Sequence, residues 1–163
     1  MNSSANLERR LARLEARDEI HELKAAYADL CDTGYEGAAI ANLFTEDGVW
    51  ESNTYPAVRG RGEIAKFMTS IGDNVFPWAV HLLSNERVQL DAMLATAEGR
   101  WDLLQLASRG PDSVVAVGKY VDVLRVENGR WRFSAVRVQF SYVGTLKAGW
   151  AFGSEGFVHD EPR

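Results

Sequence analysis

The stretch that decides the fold is Ser113–Tyr142, SVVAVGKYVDVLRVENGRWRFSAVRVQFSY. Its two halves are rich in β-branched and aromatic residues, which favour strands. The dipeptide Asn128-Gly129 between them is the strongest short-range signal for a two-residue hairpin turn. The sequence therefore predicts two long antiparallel strands, Ser113–Val126 and Trp131–Tyr142.

More strands are predicted before this hairpin. Their ranges are Ala79–Leu90 and Ala92–Ala107, and Gly110-Pro111-Asp112 forms a turn after the second. A shorter strand, Val49–Ser52, follows the turn signal Glu46-Asp47-Gly48. Long strands that follow one another through short turns indicate an antiparallel sheet.

The chain begins with two apolar stripes at helical spacing. The first stripe is Leu7, Leu11 and Leu14, and the second is Ile20, Leu23, Tyr27 and Leu30. At about 100° per residue the two stripes point to nearly opposite sides, so one straight amphipathic helix would not bury both. We therefore predict a break near Arg17-Asp18, with Asp18 capping a second helix that ends at Thr33-Gly34.

Helices at the start and strands after them give an α+β domain. A short helix is predicted around Glu36–Phe44 and a longer one after Gly60. We predict a single domain over residues 1–145, a cone-shaped barrel in which a curved, mainly antiparallel sheet wraps around the N-terminal helices. Such a cone would enclose an apolar cavity, and the tail, residues 146–163, could cover that cavity as a lid.

Composition narrows the classes of function. The chain has 163 residues, of which 46% are hydrophobic and 25% charged, as in ordinary globular proteins. Its net charge of −5 argues against a nucleic-acid partner, because phosphate binding needs a concentrated basic face. No apolar run approaches the ~20 residues of a membrane span, and the start lacks a secretory pattern. Cys31 is the one cysteine, which fits a reducing compartment, so we expect a cytoplasmic protein without a membrane partner.

Three residues could form an acid–base site in the cavity. His81 lies in an apolar stretch, where a carboxylate on one ring nitrogen would fix the tautomer of the imidazole. Asp32 is the candidate carboxylate, although it lies about 140° from Tyr27 around the helix, so we expect the helix to end before it. Tyr27 lies on the apolar stripe and could donate or orient a proton. Each also has a structural alternative: a core histidine, a turn aspartate and a core tyrosine.

Further residues are candidates for the cavity lining. Arg137 is predicted to share a strand face with Phe133, where it could stabilise a developing oxyanion or form an ion pair with Asp122 or Glu51. The remaining candidates for substrate contact are Trp50, Tyr55, Asn85, Trp101 and Tyr120. The histidines are dispersed and no metal-ligand spacing occurs, so no metal site is predicted.

Recognisable motifs lie in the helix Ile20–Asp32, in Leu43–Trp50 and Arg59–Ile64, and in His81–Val88, Gly118–Asp122 and Asn128–Trp131. Together with the order of elements, they resemble the nuclear transport factor 2-like superfamily, and within it the SnoaL-like, polyketide-cyclase-like branch. The resemblance covers about Leu14 to Tyr142 and leaves the tail outside. It implies a cystatin-like α+β roll.

Within that branch the chain is similar to scytalone dehydratase, bile-acid 7α-dehydratase and hexachlorocyclohexane dehydrochlorinase, enzymes that perform eliminations with a His–Asp pair. The resemblance places this pair on His81 and Asp32, and a polar residue that precedes the aspartate on Tyr27. It places the cavity arginine of the dehydrochlorinase near Arg137. It implies a lyase of the dehydratase type that needs no cofactor and acts on a hydrophobic cyclic small molecule, such as a polyketide, steroid or terpenoid.

Three other functions stay open. Cyclase or isomerase chemistry needs the same proton abstraction. An epoxide hydrolase is suggested by Arg100 and Asp102 on one strand face, with Asn53 and Tyr55 as candidates to hold water. The third is a non-catalytic binding or association module. Whether the protein is an enzyme or such a module, the outer face of the sheet could form a homodimer or homotrimer.

Overall fold

The computed structural model describes residues 3–146, so the predicted lid lies outside them apart from Leu146 and stays a prediction. In chain order the helices are α1 (Ser3–Asp32), α2 (Gly37–Ala41) and α3 (Arg61–Asn74). The strands are β1 (Phe44–Ser52), β2 (Val58–Arg59), β3 (Trp78–Leu90), β4 (Thr96–Arg109), β5 (Asp112–Glu127) and β6 (Arg130–Thr145).

The strands form one six-stranded sheet in the order β2-β1-β6-β5-β4-β3. Only β1 and β6 pair in parallel, and all other neighbours are antiparallel. The predicted α+β architecture, with N-terminal helices and a curved, mainly antiparallel sheet, is therefore confirmed. The sheet is not closed into a barrel, because β2 and β3 are its two edges.

The core lies between the helices and one face of the sheet. Its most deeply buried apolar side chains are Ile20, Ile40, Phe44, Ile64, Met68, Leu124, Phe133, Val136 and Val138. Burying a large apolar side chain of this kind stabilises a protein by about 1.5–3 kcal/mol. The core therefore fixes the position of α1 against the sheet, and α1 carries two of the predicted site residues.

Helix α1 runs unbroken from Ser3 to Asp32, so the predicted break near Arg17-Asp18 is wrong. This part of the chain consists mostly of Ala, Leu, Glu and Arg, which are strong helix formers. The guanidinium of Arg17 also donates to the backbone carbonyl of Val88, which ties the helix to β3. The first leucine stripe consequently turns away from the core and is more than half exposed. No helix within residues 3–146 combines the length and the apolar character that crossing a membrane requires.

The turn between β5 and β6 is formed by Asn128 and Gly129, as predicted. Their φ angles are 53° and 75°, the left-handed values that a tight hairpin turn of this kind requires. The boundaries near β1 are predicted less well. The strand begins at Phe44 and not at Val49, because the predicted turn at Glu46-Asp47-Gly48 is an irregularity inside its pairing with β6.

Candidate active site

The end of α1 and the first half of β3 bring Asp32 against His81. Oδ1 of Asp32 lies 2.6 Å from Nδ1 of His81, and the backbone N–H of His81 donates to both carboxylate oxygens at 3.0 Å. The His81 side chain is only 5% exposed. In the neutral ring, a carboxylate at Nδ1 keeps the hydrogen there and leaves the lone pair on Nε2. Among the residues that the structure describes, no hydrogen-bond partner of Nε2 is found.

The helix does not end before Asp32, contrary to the expectation from helix geometry. Asp32 is the last residue of α1, and the chain turns away at Gly34, whose φ of 103° favours glycine. The contact forms because β3 is the edge strand and lies along the flank of α1. A carboxylate on that flank reaches β3, while Tyr27 and Cys31 on the buried stripe face the core.

His81 lines a small cavity between the helices and the sheet. The predicted residues that share this cavity with it are Tyr27, Trp50, Tyr55 and Tyr120. The cavity volume is about 40 Å³, room for a few water molecules, whereas ligand pockets are usually about 300–1,000 Å³. The cone is therefore nearly filled by its own aromatic side chains, with the Trp50 and Phe67 rings 4.7 Å apart between centroids.

The hydroxyl of Tyr27 is fixed inside this cavity. The indole N–H of Trp50 donates to it at 2.9 Å, and the Tyr27 ring packs edge-on against Tyr120 and Phe133. Burial raises the pKa of the Tyr27 phenol well above its ordinary value, so the neutral form is favoured. A neutral, oriented phenol can donate a hydrogen bond but is a poor base.

Among the lining residues that were not predicted from sequence, Tyr35 and Gln105 have polar side chains that hydrogen-bond to each other. Gln105 lies directly opposite His81 in the β3–β4 pairing, and its amide donates to the hydroxyl of Tyr35 at 3.2 Å. The Tyr35 ring contacts the His81 ring edge-on, with 6.1 Å between centroids. Burial raises the pKa of Tyr35. The alternation of the strand could have indicated Gln105, since it lies between Leu103 and Ala107 on the apolar face of β4.

Lys24 is the most important residue that the sequence analysis missed. Its ammonium group lies 2.8 Å from Oδ2 of Asp122, and the side chains are 2% and 0% exposed. Nζ also lies 3.3 Å from the ring centroid of Tyr120, a cation–π contact. Burial lowers the pKa of Lys24 and raises that of Asp122, while their mutual attraction opposes both shifts. The sequence does contain a signal for the burial of Lys24: its helical spacing places it between Ile20 and Tyr27 on the apolar stripe.

Trp101 and Asn85 lie outside the inner cavity, in a cleft between α1 and β3 that His81 also lines. The indole N–H of Trp101 donates to Glu86 at 3.2 Å, and Glu86 also contacts Nδ1 of His21 at 2.7 Å. Glu86 raises the pKa of His21 mainly through this hydrogen bond. Asn85 does not continue the face of His81, because β3 has a bulge there, and its amide donates to Asp102.

The structure does not bring Arg137 to the cavity. The strand alternation of β6 is interrupted at Ser134, where a bulge shifts the pairing with β5 by one residue. Arg137 therefore points away from the face of Phe133, and its Nε lies 2.5 Å from Glu51 on the exposed side. An ion pair of Arg137 with Glu51 was one of the alternatives to a catalytic role. Asp122, the other possible partner, pairs with Lys24, and from Arg137 it accepts a hydrogen bond from the backbone N–H alone.

The residues of the epoxide-hydrolase hypothesis fall into two separate groups: Arg100 and Asp102 line one surface pocket on β4, whereas Tyr55 lines the inner cavity. Arg100 pairs with Glu98, and Asp102 contacts Lys119 on the face opposite to the core. The Asn53 amide is bonded to the backbone of Phe140. These contacts do not bring Asp102, Asn53 and Tyr55 together around one water molecule.

Cysteine and metal chemistry have little support in the described part of the chain. Burial raises the pKa of the Cys31 thiol to about 12, so its reactive thiolate is disfavoured. Within residues 3–146 no group of three or more His, Cys, Asp or Glu side chains could hold a metal ion.

Comparisons with known structures agree with the fold. A structure of hexachlorocyclohexane dehydrochlorinase (LinA) Type2 is 22% identical, with a TM-score of 0.77 over 90% of this chain and 99% of that one. A protein from Novosphingobium aromaticivorans that is provisionally named a scytalone dehydratase is 20% identical, with a TM-score of 0.72 over 85% of this chain and 90% of that one. An NTF2-like protein with a cystatin-like fold from the same organism is 24% identical, with a TM-score of 0.68 over 86% and 92%.

At these identities the likeness shows the fold alone. No curated protein matches the chain. The family model of the SnoaL-like domain matches residues 12–137, which is most of the sequence and includes Tyr27, Asp32 and His81. This chain therefore belongs to the family of SnoaL-like domains.

Proposed function

We propose that this protein is a lyase of the dehydratase type, in which His81 is the general base and Asp32 orients it. The observation that carries the proposal is the 2.6 Å contact between Asp32 Oδ1 and His81 Nδ1, together with the position of His81 on the cavity wall. A base held by a second group in the correct tautomer is the arrangement that general base catalysis requires.

The elimination can be written through these side chains. Nε2 of His81 takes the proton from a carbon next to a carbonyl group, and the electron pair of that C–H bond forms a C=C double bond. The C–O bond to the neighbouring hydroxyl breaks, and the hydroxide leaves as water after it accepts a proton. Tyr27, whose hydroxyl is held by Trp50, is the proposed donor or the holder of the donating water.

The proposed substrate is a neutral, hydrophobic ring compound, because the lining is largely aromatic and aliphatic. A ring of that size does not fit in about 40 Å³, so the half-buried rings of Tyr55 and Phe67 must move aside when it enters. Both rings pack mainly on each other and on Trp50, which lets them move without opening the core of α1.

The small cavity is also the observation that favours a second candidate, a non-catalytic module. In that case His81 would be a core histidine whose backbone N–H and Nδ1 are both bound by Asp32. The two candidates differ in what His81→Ala changes: the module loses stability and no activity, and the lyase loses turnover.

The test uses cyclic β-hydroxy ketones, including 3-hydroxy-1-tetralone, whose loss of water gives fluorescent 1-naphthol. We expect turnover by the wild type, none above background for His81→Ala, and a loss of about 10²–10⁴-fold for Asp32→Asn. Asp73→Asn, an exposed carboxylate near the end of α3, is the matched control and should keep full activity. Equal turnover by His81→Ala and the wild type would contradict the proposal.

We further propose that the protein associates as a homodimer or homotrimer through the outer face of the sheet. Leu82, Leu104 and Val117 lie side by side on β3, β4 and β5, and their side chains are 50%, 39% and 41% exposed. A row of exposed apolar side chains across three strands is typical of an association surface.

A further inference from the structure

A cleft of about 340 Å³ lies between α1 and β3, outside the small inner cavity. Its volume is within the range of about 300–1,000 Å³ that small-molecule sites usually have. His81 lines both spaces, so the cleft and the inner cavity meet the same imidazole. We refer to this space as the α1–β3 cleft.

A bulge in β3 shapes this cleft. The pairing of β3 with β4 shifts between Ser84 and Arg87, and Asn85 has a left-handed φ of 53°. Bulges redirect the side chains around them. Here the bulge directs Glu86 toward α1, where it contacts His21, and toward Trp101 on β4.

The walls of the cleft combine an apolar surface with hydrogen-bond acceptors. Ala25, Ala28, Leu83 and the ring of Trp101 provide the apolar part. Glu86 and Asp29 add two carboxylates. Lys24 also lies at the wall, but its charge is balanced by Asp122 in the core. His21 also lines the cleft and pairs with Glu86, so Asp29 is the carboxylate that leaves the wall acidic. The cleft therefore disfavours anions and suits a neutral molecule that can donate a hydrogen bond.

We propose that the α1–β3 cleft is a second ligand site, which binds a neutral ring-shaped alcohol with its hydroxyl donating to Glu86 and its ring against Ala25, Leu83 and the small exposed part of Trp101. The carboxylate of Glu86 is already oriented by the Trp101 indole, so little ordering is needed when the ligand binds. This site goes beyond the proposed elimination and concerns binding alone, so it stands whether or not turnover is found.

Two tryptophans distinguish the sites in one experiment. Trp101 lines the cleft and donates to Glu86, whereas Trp50 lines the inner cavity and donates to Tyr27. The full-length ¹⁵N-labelled protein is titrated with 2-naphthol, and the indole N–H signals are followed by NMR, with Trp101→Phe and Trp50→Phe providing the assignments. We expect a saturable shift of the Trp101 signal.

Matched variants on α1 locate the binding. Ala25 faces the cleft, whereas Ala26 is equally half-buried and lines neither space. Ala25→Leu should weaken 2-naphthol binding at least tenfold, and Ala26→Leu should leave it unchanged. If Ala25→Leu fails to fold, Ser84→Leu fills the cleft from the strand side.

A Trp101 signal that does not move, a shift of Trp50 alone, or equal binding by the cleft-filling variant and the wild type would each overturn the second site. Because none of these readings depends on turnover, they are separate from a failure of the elimination.

Discussion

Lys24 and Asp122 form an ion pair that is almost completely removed from water. Transfer of two charges into the core costs more free energy than an isolated contact returns, unless each charge keeps a close partner. The aromatic rings around Nζ supply part of that compensation, with Tyr120 the nearest. The pair therefore ties α1 to β5 directly behind the inner cavity.

Replacing one partner of the Lys24–Asp122 pair should lower the free energy of unfolding much more than replacing both. We expect Lys24→Met to lower the free energy of unfolding by about 3–5 kcal/mol, because Asp122 is then left buried and unpaired. The double variant Lys24→Met with Asp122→Leu should recover most of that loss. Urea denaturation followed by circular dichroism measures both. A single variant as stable as the wild type would show that the pair is not desolvated as described.

At this scale the sequence predicted the pairing of residues better than their orientation. The contact of Asp32 with His81 followed from the family resemblance, and the structure brings the two together. Arg137 was placed inside by strict alternation, which cannot foresee the bulge at Ser134. Lys24 was missed because a lysine is rarely buried without a partner, and its partner lies on a distant strand.

The elements follow local signals wherever those signals are strong. The hairpin of β5 and β6 was predictable because Asn128-Gly129 specifies one turn type. The continuity of α1 was not, because the direction in which the leucine stripe faces depends on contacts with β3 that periodicity does not contain. The start of β1 was not predictable either. Its pairing with β6 extends the strand back to Phe44, across the residues Glu46-Asp47-Gly48 that locally favour a turn.

Two glycines test the hairpin. An added Cβ at Gly129 or at Gly62 would meet no atom within 4 Å, but only Gly129 has a left-handed φ, of 75°. We expect Gly129→Ala to cost about 1–2 kcal/mol of unfolding free energy from backbone strain alone. Gly62→Ala, in α3, should be neutral or slightly stabilising. Thermal denaturation of both variants gives the comparison, and equal midpoints would contradict the turn assignment.

For the whole molecule, the proposed binding site and the proposed association surface lie on different faces of the sheet. The side of the sheet that faces the helices holds the core and the candidate site, whereas the exposed row of Leu82, Leu104 and Val117 lies on the outer face of β3–β5. Neither feature could be predicted in detail from sequence, since both depend on which side of each strand faces the helices. The fold class could, because the order of helices and strands leaves few α+β arrangements.

Assembly through the outer face can be tested by charge. Leu104→Glu places a carboxylate in the middle of the apolar row, so we expect it to convert the oligomer to an 18.1 kDa monomer. Val126→Glu, at the far end of β5 and equally exposed at 39%, is the control and should not change the mass. Light scattering after gel filtration measures the mass. A wild type that is already monomeric would contradict the assembly.

The tautomer of His81 tests the central claim most directly. In ¹⁵N-labelled protein with the ring neutral, long-range ¹H–¹⁵N correlation distinguishes a protonated ring nitrogen from an unprotonated one. The contact with Asp32 predicts hydrogen on Nδ1 and a lone pair on Nε2, and Asp32→Asn should abolish that preference. A wild-type ring with its hydrogen on Nε2, or a ring unaffected by Asp32→Asn, would contradict the account.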